Sequence, residues 1–229
     1  MAMLFLVSTP IGNIEDISIR ALKTLFSAKI IACEDTRQTG QLLAILKERF
    51  PAFVGDITPK LIAYHDKNEE KLVPELISIL EAGASIALVS DAGTPLISDP
   101  GFRLVATAIK RGIHVIPIPG ASAILPALQL SGFPVHRWMF IGYFPEKQTH
   151  RMKLLEELKK SSNPCTTISY CAPHKLENTL HDLESVYGSA KRIAVMRELT
   201  KVHENVWRGS VSDAHKALLD PKGEIVLIF

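Results

Sequence analysis

The sequence predicts a two-domain α/β protein, with a parallel sheet in the N-terminal domain and a mixed sheet in the C-terminal domain. In the first half, short apolar runs alternate with segments of helical periodicity, which is typical of parallel strands joined by helices. In the second half the last strands follow one another closely, which favours a mixed sheet. Pro117, Pro119 and Gly120 interrupt the pattern between the halves, so we predict domains at residues 1–119 and 120–229.

The composition is that of a folded protein, with 47% hydrophobic and 22% charged residues. A chain of 229 residues suits one large domain or two small ones. The formal net charge is only +2, so any contact with nucleic acid must come from local basic patches. Cys33, Cys165 and Cys171 are odd in number and lack a Cys-x-x-Cys spacing. This argues against a disulfide framework or a zinc knuckle and fits a reducing cytoplasm.

Four strands are predicted in the first half, each from a short apolar run. They cover residues 3–7, 30–33, 85–89 and 114–118. The first run is too short for a membrane span and lacks the basic flank of a signal peptide. Helices are predicted over about 17–27, over 69–82 with Gly83 as its C-terminal cap, and from Phe102 to about Ile109 with Pro100 in its first turn.

The second half is predicted to contain three helices and five strands. The helices cover about 122–130, 146–160 and 173–187, and the strands cover about 138–141, 166–170, 192–197, 204–208 and 224–229. Cys165 and Cys171 flank one of these strands and are interpreted as packing residues. Basic side chains lie along the late strands, where Arg197 or Lys201 could meet phosphate, although a solvated sheet face explains them equally well.

Three loops rich in glycine and proline each follow an apolar strand, at residues 8–13, 90–95 and 117–122. Glycine lets the backbone approach a ligand closely, and free amides at strand ends can bind its polar edges. Each loop taken singly also fits an ordinary tight turn. The chain has no Gly-x-Gly and no Gly-Lys-Ser/Thr, which excludes the common dinucleotide fingerprint and the phosphate-binding loop.

Two polar clusters complete the set of candidate loops. Residues 34–37, Glu-Asp-Thr-Arg, follow the second strand, at the end where open α/β sheets place ligands. Arg37 there could instead pair with a neighbouring carboxylate. Residues 64–70 precede a helix and are either a solvated helix start capped by Asn68 or a site in which His65 or Asp66 accepts a proton.

Taken together, these loops resemble the tetrapyrrole methylase superfamily, and specifically its branch of ribosomal RNA small-subunit methyltransferases I. The resemblance rests on segments that occur in order along nearly the whole chain. They are residues 6–13 with 15–17, 33–37, 64–66 with 68–69, 88–103, 119–120, 172–174, and 197–201 with 208–209.

The resemblance implies two α/β domains with S-adenosylmethionine in the cleft between them, and a homodimer without metal or membrane contact. The implied acceptor is the ribose 2′-hydroxyl of cytidine-1402 in the 16S ribosomal RNA of the small ribosomal subunit. Asp35, Arg37, His65 and Asp66 would face this acceptor. The residues implied to bind the cofactor are Pro10, Asp91, Gly93, Thr94, Pro95, Ser122 and Ala123. Such a reaction is an in-line displacement, in which the enzyme mainly holds donor carbon and acceptor oxygen together.

Two alternatives stay open: a tetrapyrrole acceptor with the same fold and cofactor, or a non-catalytic module that binds RNA or the ribosome. The sequence also departs from the family pattern in two places. The family often has Glu before the Pro-His pair and Arg after it, whereas here Ala172 and Lys175 stand beside Pro173 and His174. Family members often continue past the last strand into a small helical segment, whereas this sequence ends with residues 224–229.

Overall fold

The computed structural model describes residues 2–219 and 221–229 of the chain. The chain divides into two compact units, of which the first ends at Ser122 and the second spans Ala123–Phe229. Each unit is built on a five-stranded sheet. The predicted pairing of a parallel sheet with a mixed sheet is confirmed.

The first unit contains a parallel sheet with the strand order β3-β2-β4-β1-β5. Its strands are β1 Met3–Val7, β2 Ile30–Cys33, β3 Lys60–Ala63, β4 Ile86–Val89 and β5 His114–Ile118. Its helices are α1 Ile19–Ser27, α2 Thr36–Arg49, α3 Glu69–Glu81 and α4 Phe102–Lys110. Since all the strands are parallel, their carboxyl ends lie on one edge of the sheet.

Both faces of this sheet are covered, which explains why its strands are continuous apolar runs. On one face Val7 and Ile31 pack with Leu22 and Leu25 of α1, and on the other Leu4 and the remaining core residues pack with α3 and α4. Two of its elements, α2 and β3, are absent from the sequence prediction. Helix α4 also begins after Pro100, because Gly101 occupies the capping position with a φ of 136°. Pro100 therefore lies one residue before the N-cap and outside the first turn, so that part of the prediction is wrong.

The second unit has the strand order β6-β7-β10-β8-β9, in which β6 and β7 are parallel and the other three neighbouring pairs of described strands are antiparallel. Its strands are β6 Trp138–Tyr143, β7 Thr166–Cys171, β8 Arg192–Arg197, β9 Asn205–Ser210 and β10 Ile225–Ile228. Its helices are α5 Ile124–Ser131, α6 Gln148–Lys160, α7 Leu176–Tyr187 and α8 Val211–Ala217. Helix α8 is absent from the sequence prediction. Leucines of α6 and α7 and Val211 of α8 pack in one cluster with the central strands.

A buried ion pair joins α6 to α7. Arg151 Nε lies 2.7 Å from Asp182 Oδ2, and the two side chains are only 7% and 2% exposed. The other carboxylate oxygen accepts a hydrogen bond from Gln148 Nε2 at 2.8 Å. Arg151 Nη1 donates to the carbonyl oxygens of Pro145 and Glu146. Each charge therefore has several polar partners, as a pair removed from water requires.

No helix in the described part of the chain combines the length and the apolar composition needed to cross a membrane.

Candidate active site

The carboxyl edge of the parallel sheet gathers the candidate loops of the first unit. Each strand of the sheet ends in one of them. The loops begin at Ser8, Glu34, Tyr64, Ser90 and Pro119. The chain moves outward from β1 to β3 and returns to insert β4 between β2 and β1. Ligands of open α/β sheets bind at such a reversal of strand order, outside the carboxyl ends.

The three glycine and proline loops are bonded to one another. The backbones of Thr9 and Gly93 exchange two hydrogen bonds, of 2.9 and 3.0 Å. Ser8 Oγ lies 3.2 Å from Thr94 Oγ1, which in turn donates to the carbonyl oxygen of Ala121 at 3.0 Å. The structure therefore brings Gly93 and Thr94 together with the loops after β1 and β5, as the carboxyl-edge argument predicts.

Two glycines allow this close approach. Gly93 has a φ of 83°, a conformation that favours glycine. A Cβ added at Gly120 would lie 2.9 Å from Ser8 Cβ, well inside an ordinary carbon contact. Gly93 is therefore required by its backbone conformation, and Gly120 by the lack of space for a side chain beside Ser8.

The other residues predicted to bind the cofactor lie in or next to the hydrogen-bonded loops after β1, β4 and β5. Pro10 follows Thr9 directly, and Pro95 is buried behind Thr94. Ser122 ends the first unit, whereas Ala123 begins the second and caps α5, with its carbonyl oxygen 3.2 Å from the amide of Ala127. The grouping of Ser122 and Ala123 with Asp91 stays a prediction.

Asp91 connects the loop after β4 to the start of α2. One carboxylate oxygen accepts the backbone N–H of Asp35 at 3.0 Å, and the other accepts Gln38 Nε2 at 2.9 Å. Burial raises the pKa of Asp91, against the lowering effect of the Asp35 amide. Asp91 therefore positions the loop that carries Asp35 and Arg37.

Asp35 and Arg37 form a helix cap and an ion pair. Asp35 Oδ1 accepts the Arg37 backbone N–H at 2.8 Å, as the N-cap of α2. The Arg37 guanidinium binds the same carboxylate through Nε at 3.2 Å and Nη2 at 2.7 Å. These bonds lower the pKa of Asp35 to about 2, so this carboxylate is a weak base. The alternative that Arg37 pairs with a neighbouring carboxylate is the arrangement observed.

His65 and Asn68 are hydrogen-bonded to each other, and this changes the predicted role of Asn68. Asn68 Oδ1 accepts the His65 backbone N–H at 2.9 Å, while its Nδ2 donates to the Ala63 carbonyl oxygen and lies 3.3 Å from His65 Nε2. Asn68 occupies the N-cap position of α3, as predicted, but its side chain makes no capping hydrogen bond to the helix.

The Asn68 amide also defines the state of the His65 ring. Because Asn68 Nδ2 can only donate, Nε2 of neutral His65 accepts and Nδ1 carries the proton. Nδ1 is buried and has no hydrogen-bond partner among residues 2–219 and 221–229. The basic nitrogen of neutral His65 therefore already has a partner, and its Nδ1–H points into the protein interior.

Carboxylates from three loops lie near one another at this edge. Burial raises the pKa of Glu34, and the charges of Asp91, Asp99 and Asp66 raise it further. Burial also raises the pKa of Asp99 to about 6, opposed by a hydrogen bond from Ser90. Individual roles for Glu34 and Asp99 were not predicted, although both lie in loops that the sequence singled out. Perturbed carboxyl groups of this kind are frequent at functional sites.

Replacing Asp99 with asparagine is expected to stabilise the protein above pH 6 by about 1 kcal/mol, a value discounted for partial exposure. Folded Asp99 keeps its proton up to about pH 6, whereas the ordinary pKa is 3.8. Between these values the folded state binds more protons, so the free energy of unfolding falls as pH rises. Asparagine carries no charge that burial could desolvate, so the free energy of unfolding of the variant does not decrease in this way over the same pH range.

Thermal unfolding at pH 4 and pH 8 measures the effect. The advantage of Asp99→Asn should be absent at the lower pH and present at the higher one. Asp56→Asn, at an exposed aspartate, is the matched control. An equal advantage of Asp99→Asn at both pH values would show that the carboxyl charge is not the cause.

The second unit contains its own polar features. A cavity of about 170 Å³ is lined by the segment that departs from the family pattern, including Ala172, His174 and Lys175. Lys201 Nζ lies 2.9 Å from both Glu198 Oε1 and Glu224 Oε2, so its charge is paired within the unit.

The sequence model of the family described as tetrapyrrole (corrin/porphyrin) methylases matches residues 3–215. The chain belongs to the tetrapyrrole methylase family. A protein of Halalkalibacterium halodurans named ribosomal RNA small subunit methyltransferase I is 46% identical to this family member, over 98% of this chain and 74% of that protein. A protein of the same name from Synechocystis sp. is 45% identical, over 100% of this chain and 78% of that protein.

A solved structure shares the fold of this tetrapyrrole methylase family member. It is the uroporphyrin-III C-methyltransferase of Thermus thermophilus in complex with S-adenosyl homocysteine, with a TM-score of 0.64 and 13% identity. The match covers 100% of this chain and 97% of the other.

Proposed function

We propose that the chain transfers a methyl group from S-adenosylmethionine to the ribose 2′-hydroxyl of a cytidine in 16S ribosomal RNA. As a member of the methylase family, the protein is a methyltransferase that uses S-adenosylmethionine. Sequence similarity supports the RNA acceptor most strongly. The chain is 46% and 45% identical, over nearly its whole length, to two proteins named ribosomal RNA small subunit methyltransferase I.

The bonded loops of the first unit fit this methyl donor. S-adenosylmethionine supplies a methyl group on a positively charged sulfur. The carboxylates of Glu34, Asp91 and Asp99 provide negative charge at the carboxyl edge. The glycines let backbone approach a ligand without an intervening side chain. The residues that would hold the donor are Pro10, Asp91, Gly93, Thr94, Pro95, Ser122 and Ala123.

On the acceptor side, we assign Asp66 as the proton acceptor and His65, bonded to Asn68, as a residue that positions the loop carrying Asp66. A hydroxyl oxygen must lose its proton as it attacks the methyl carbon. His65 Nε2 is bound to Asn68 and Asp35 is bound to Arg37, whereas Asp66 is exposed. Asp66 also lies close enough to Glu34 and Asp99 to raise the pKa of both. Arg37 is exposed and would contact RNA phosphate in addition to its ion pair with Asp35.

The direct test is transfer of labelled methyl to small ribosomal subunits that lack the modification, followed by mapping of the labelled nucleotide. We expect label on the ribose of one decoding-centre cytidine, and less transfer at high salt because phosphate contacts are screened. A uroporphyrinogen acceptor serves as the comparison. Label on the tetrapyrrole alone would identify the other acceptor class, and cofactor binding without any transfer would indicate a non-catalytic binding module.

Gly120→Ala is expected to lower kcat/KM for methyl transfer by roughly 10- to 100-fold. The added methyl would meet Ser8 Cβ at 2.9 Å, so the loops after β1 and β5 must separate. A displacement of about 1 Å near reacting groups can cost about 100-fold in rate. Steady-state transfer to small subunits measures the loss.

The control for Gly120→Ala is a pair of double variants. Adding Ser8→Gly removes the atom that the new methyl meets and should restore part of the activity. Adding Ser8→Ala keeps that atom and should restore none, although both variants lose the bond to Thr94. Equal rescue by both would mean that crowding is not the cause.

A homodimer that acts in the cytoplasm is also part of the proposal. Phe102 and Ile109 lie two turns apart on α4 and are 75% and 63% exposed. Exposed apolar side chains on one helix face are typical of a contact surface. Light scattering should give twice the chain mass, and Phe102→Ser with Ile109→Ser should reduce it to the chain mass.

A further inference from the structure

Two histidines and two glutamates form a cluster on the helices of the second unit, apart from the proposed reaction. Glu177, His181 and Glu184 lie on α7, at spacings of four and three residues that place them on one face. His215 on α8 faces them, and its ring centroid lies 4.5 Å from that of His181. We call these four residues the α7–α8 cluster.

Three atoms of the cluster have the arrangement of metal ligands. Glu177 Oε1 lies 3.1 Å from His181 Nε2 and 3.0 Å from His215 Nδ1. One ligand atom from each residue lies within 4.8 Å of the other two. Tetrahedral zinc with bonds of about 2.0–2.1 Å to nitrogen and oxygen separates its ligand atoms by roughly 3.3 Å. A small movement of exposed His181 would therefore complete three corners of a tetrahedron.

Glu184 would hold the His215 ring in the state that binds metal. Its Oε2 lies 3.3 Å from the buried Nε2 of His215, but the two atoms do not form a hydrogen bond. A small rotation of the carboxylate would let Nε2–H donate to it, which leaves the Nδ1 lone pair directed toward Glu177. Histidines that bind metal usually donate their other ring N–H to a carboxylate in this manner.

We propose that Glu177, His181 and His215 bind one zinc ion, with Glu184 as the carboxylate that orients His215. Two imidazoles and one carboxylate are ligands that suit zinc, and water would complete the coordination. The ion would join the short helix α8 to α7. Its role is structural, since methyl transfer from a sulfonium requires no metal.

The test is a zinc titration of the full chain with a competing chromogenic chelator. We expect one equivalent of zinc to bind, and the midpoint of thermal unfolding to rise because the folded state binds the ion. Glu184→Gln should weaken binding roughly 10-fold. Glu177→Gln and His181→Ala, both at exposed positions, should weaken it more than Glu184→Gln does.

Two control variants separate this site from incidental binding. His203→Ala, at an exposed histidine outside the cluster, and Cys165→Ser should leave zinc affinity unchanged. X-ray absorption should show only nitrogen and oxygen neighbours at about 2.0–2.1 Å, without the sulfur distance of about 2.3 Å. Absence of zinc binding, a sulfur neighbour, or affinity unchanged in both Glu177→Gln and His181→Ala would overturn the proposal.

Discussion

Asp182→Ala is expected to lower the free energy of unfolding of the second unit by about 3–5 kcal/mol, because it leaves the buried Arg151 charge without its carboxylate. The variant also removes the acceptor of Gln148, so two donors lose their partner. Urea unfolding followed by circular dichroism measures the loss. A loss of this size is a large fraction of the stability of an ordinary domain.

Two comparisons test whether charge burial is the cause. Glu157→Ala breaks the ion pair with Lys153 on the same helix, where both side chains are exposed, and should cost less than about 0.5 kcal/mol. Arg151→Met combined with Asp182→Leu removes both buried charges and should be more stable than Asp182→Ala alone. If the double variant is less stable than the single one, packing explains the loss.

Asp66→Asn is expected to reduce kcat for methyl transfer on the order of 10²- to 10³-fold with little change in KM. The amide is nearly the same size as the carboxylate but cannot accept the hydroxyl proton, and general base catalysis typically contributes about 10²- to 10⁴-fold. Single-turnover transfer to small subunits separates this chemical step from product release.

Two further variants distinguish Asp66 from its neighbours. His65→Gln should raise KM more than it lowers kcat, because His65 is assigned to positioning. Glu34→Gln should have a smaller effect on kcat than Asp66→Asn. A larger loss of kcat in Glu34→Gln than in Asp66→Asn would instead identify Glu34 as the base. The raised pKa of Glu34 makes it the next candidate.

The parallel sheet could be predicted because β1, β2, β4 and β5 are short apolar runs that end in turn-forming or polar residues. Strand β3 was missed because Lys60–Ala63 begins with an exposed lysine and offers only three consecutive apolar residues before the polar cluster. Helix α2 escaped prediction because it buries only Thr39 and Leu46 and is otherwise largely polar.

The site was predictable to the level of loops but not of individual bonds. Parallel strands place their following loops on one edge, so the sequence indicates that the candidate loops share this edge. The contact between Thr9 and Gly93 depends on the strand order, which places β4 beside β1. The pKa of Asp99 depends on burial and on the charges of Asp91 and Asp66, from other loops. The Asn68 side chain bonds backward to His65 and Ala63, whereas local propensity favours a bond forward into α3.

The loops proposed to bind the methyl donor and those proposed to face the acceptor are held by different kinds of hydrogen bond. The loops after β1 and β4 are joined by backbone hydrogen bonds between Thr9 and Gly93. These bonds do not depend on the identity of neighbouring side chains. The loop after β2 is held to them by the side chain of Asp91. Side-chain substitutions in the loops after β2 and β3 therefore leave the backbone bonds between Thr9 and Gly93 in place, whereas substitution of Gln38 would act on Asp91 directly. The acceptor specificity could therefore change in evolution while the loops that bind the methyl donor are retained.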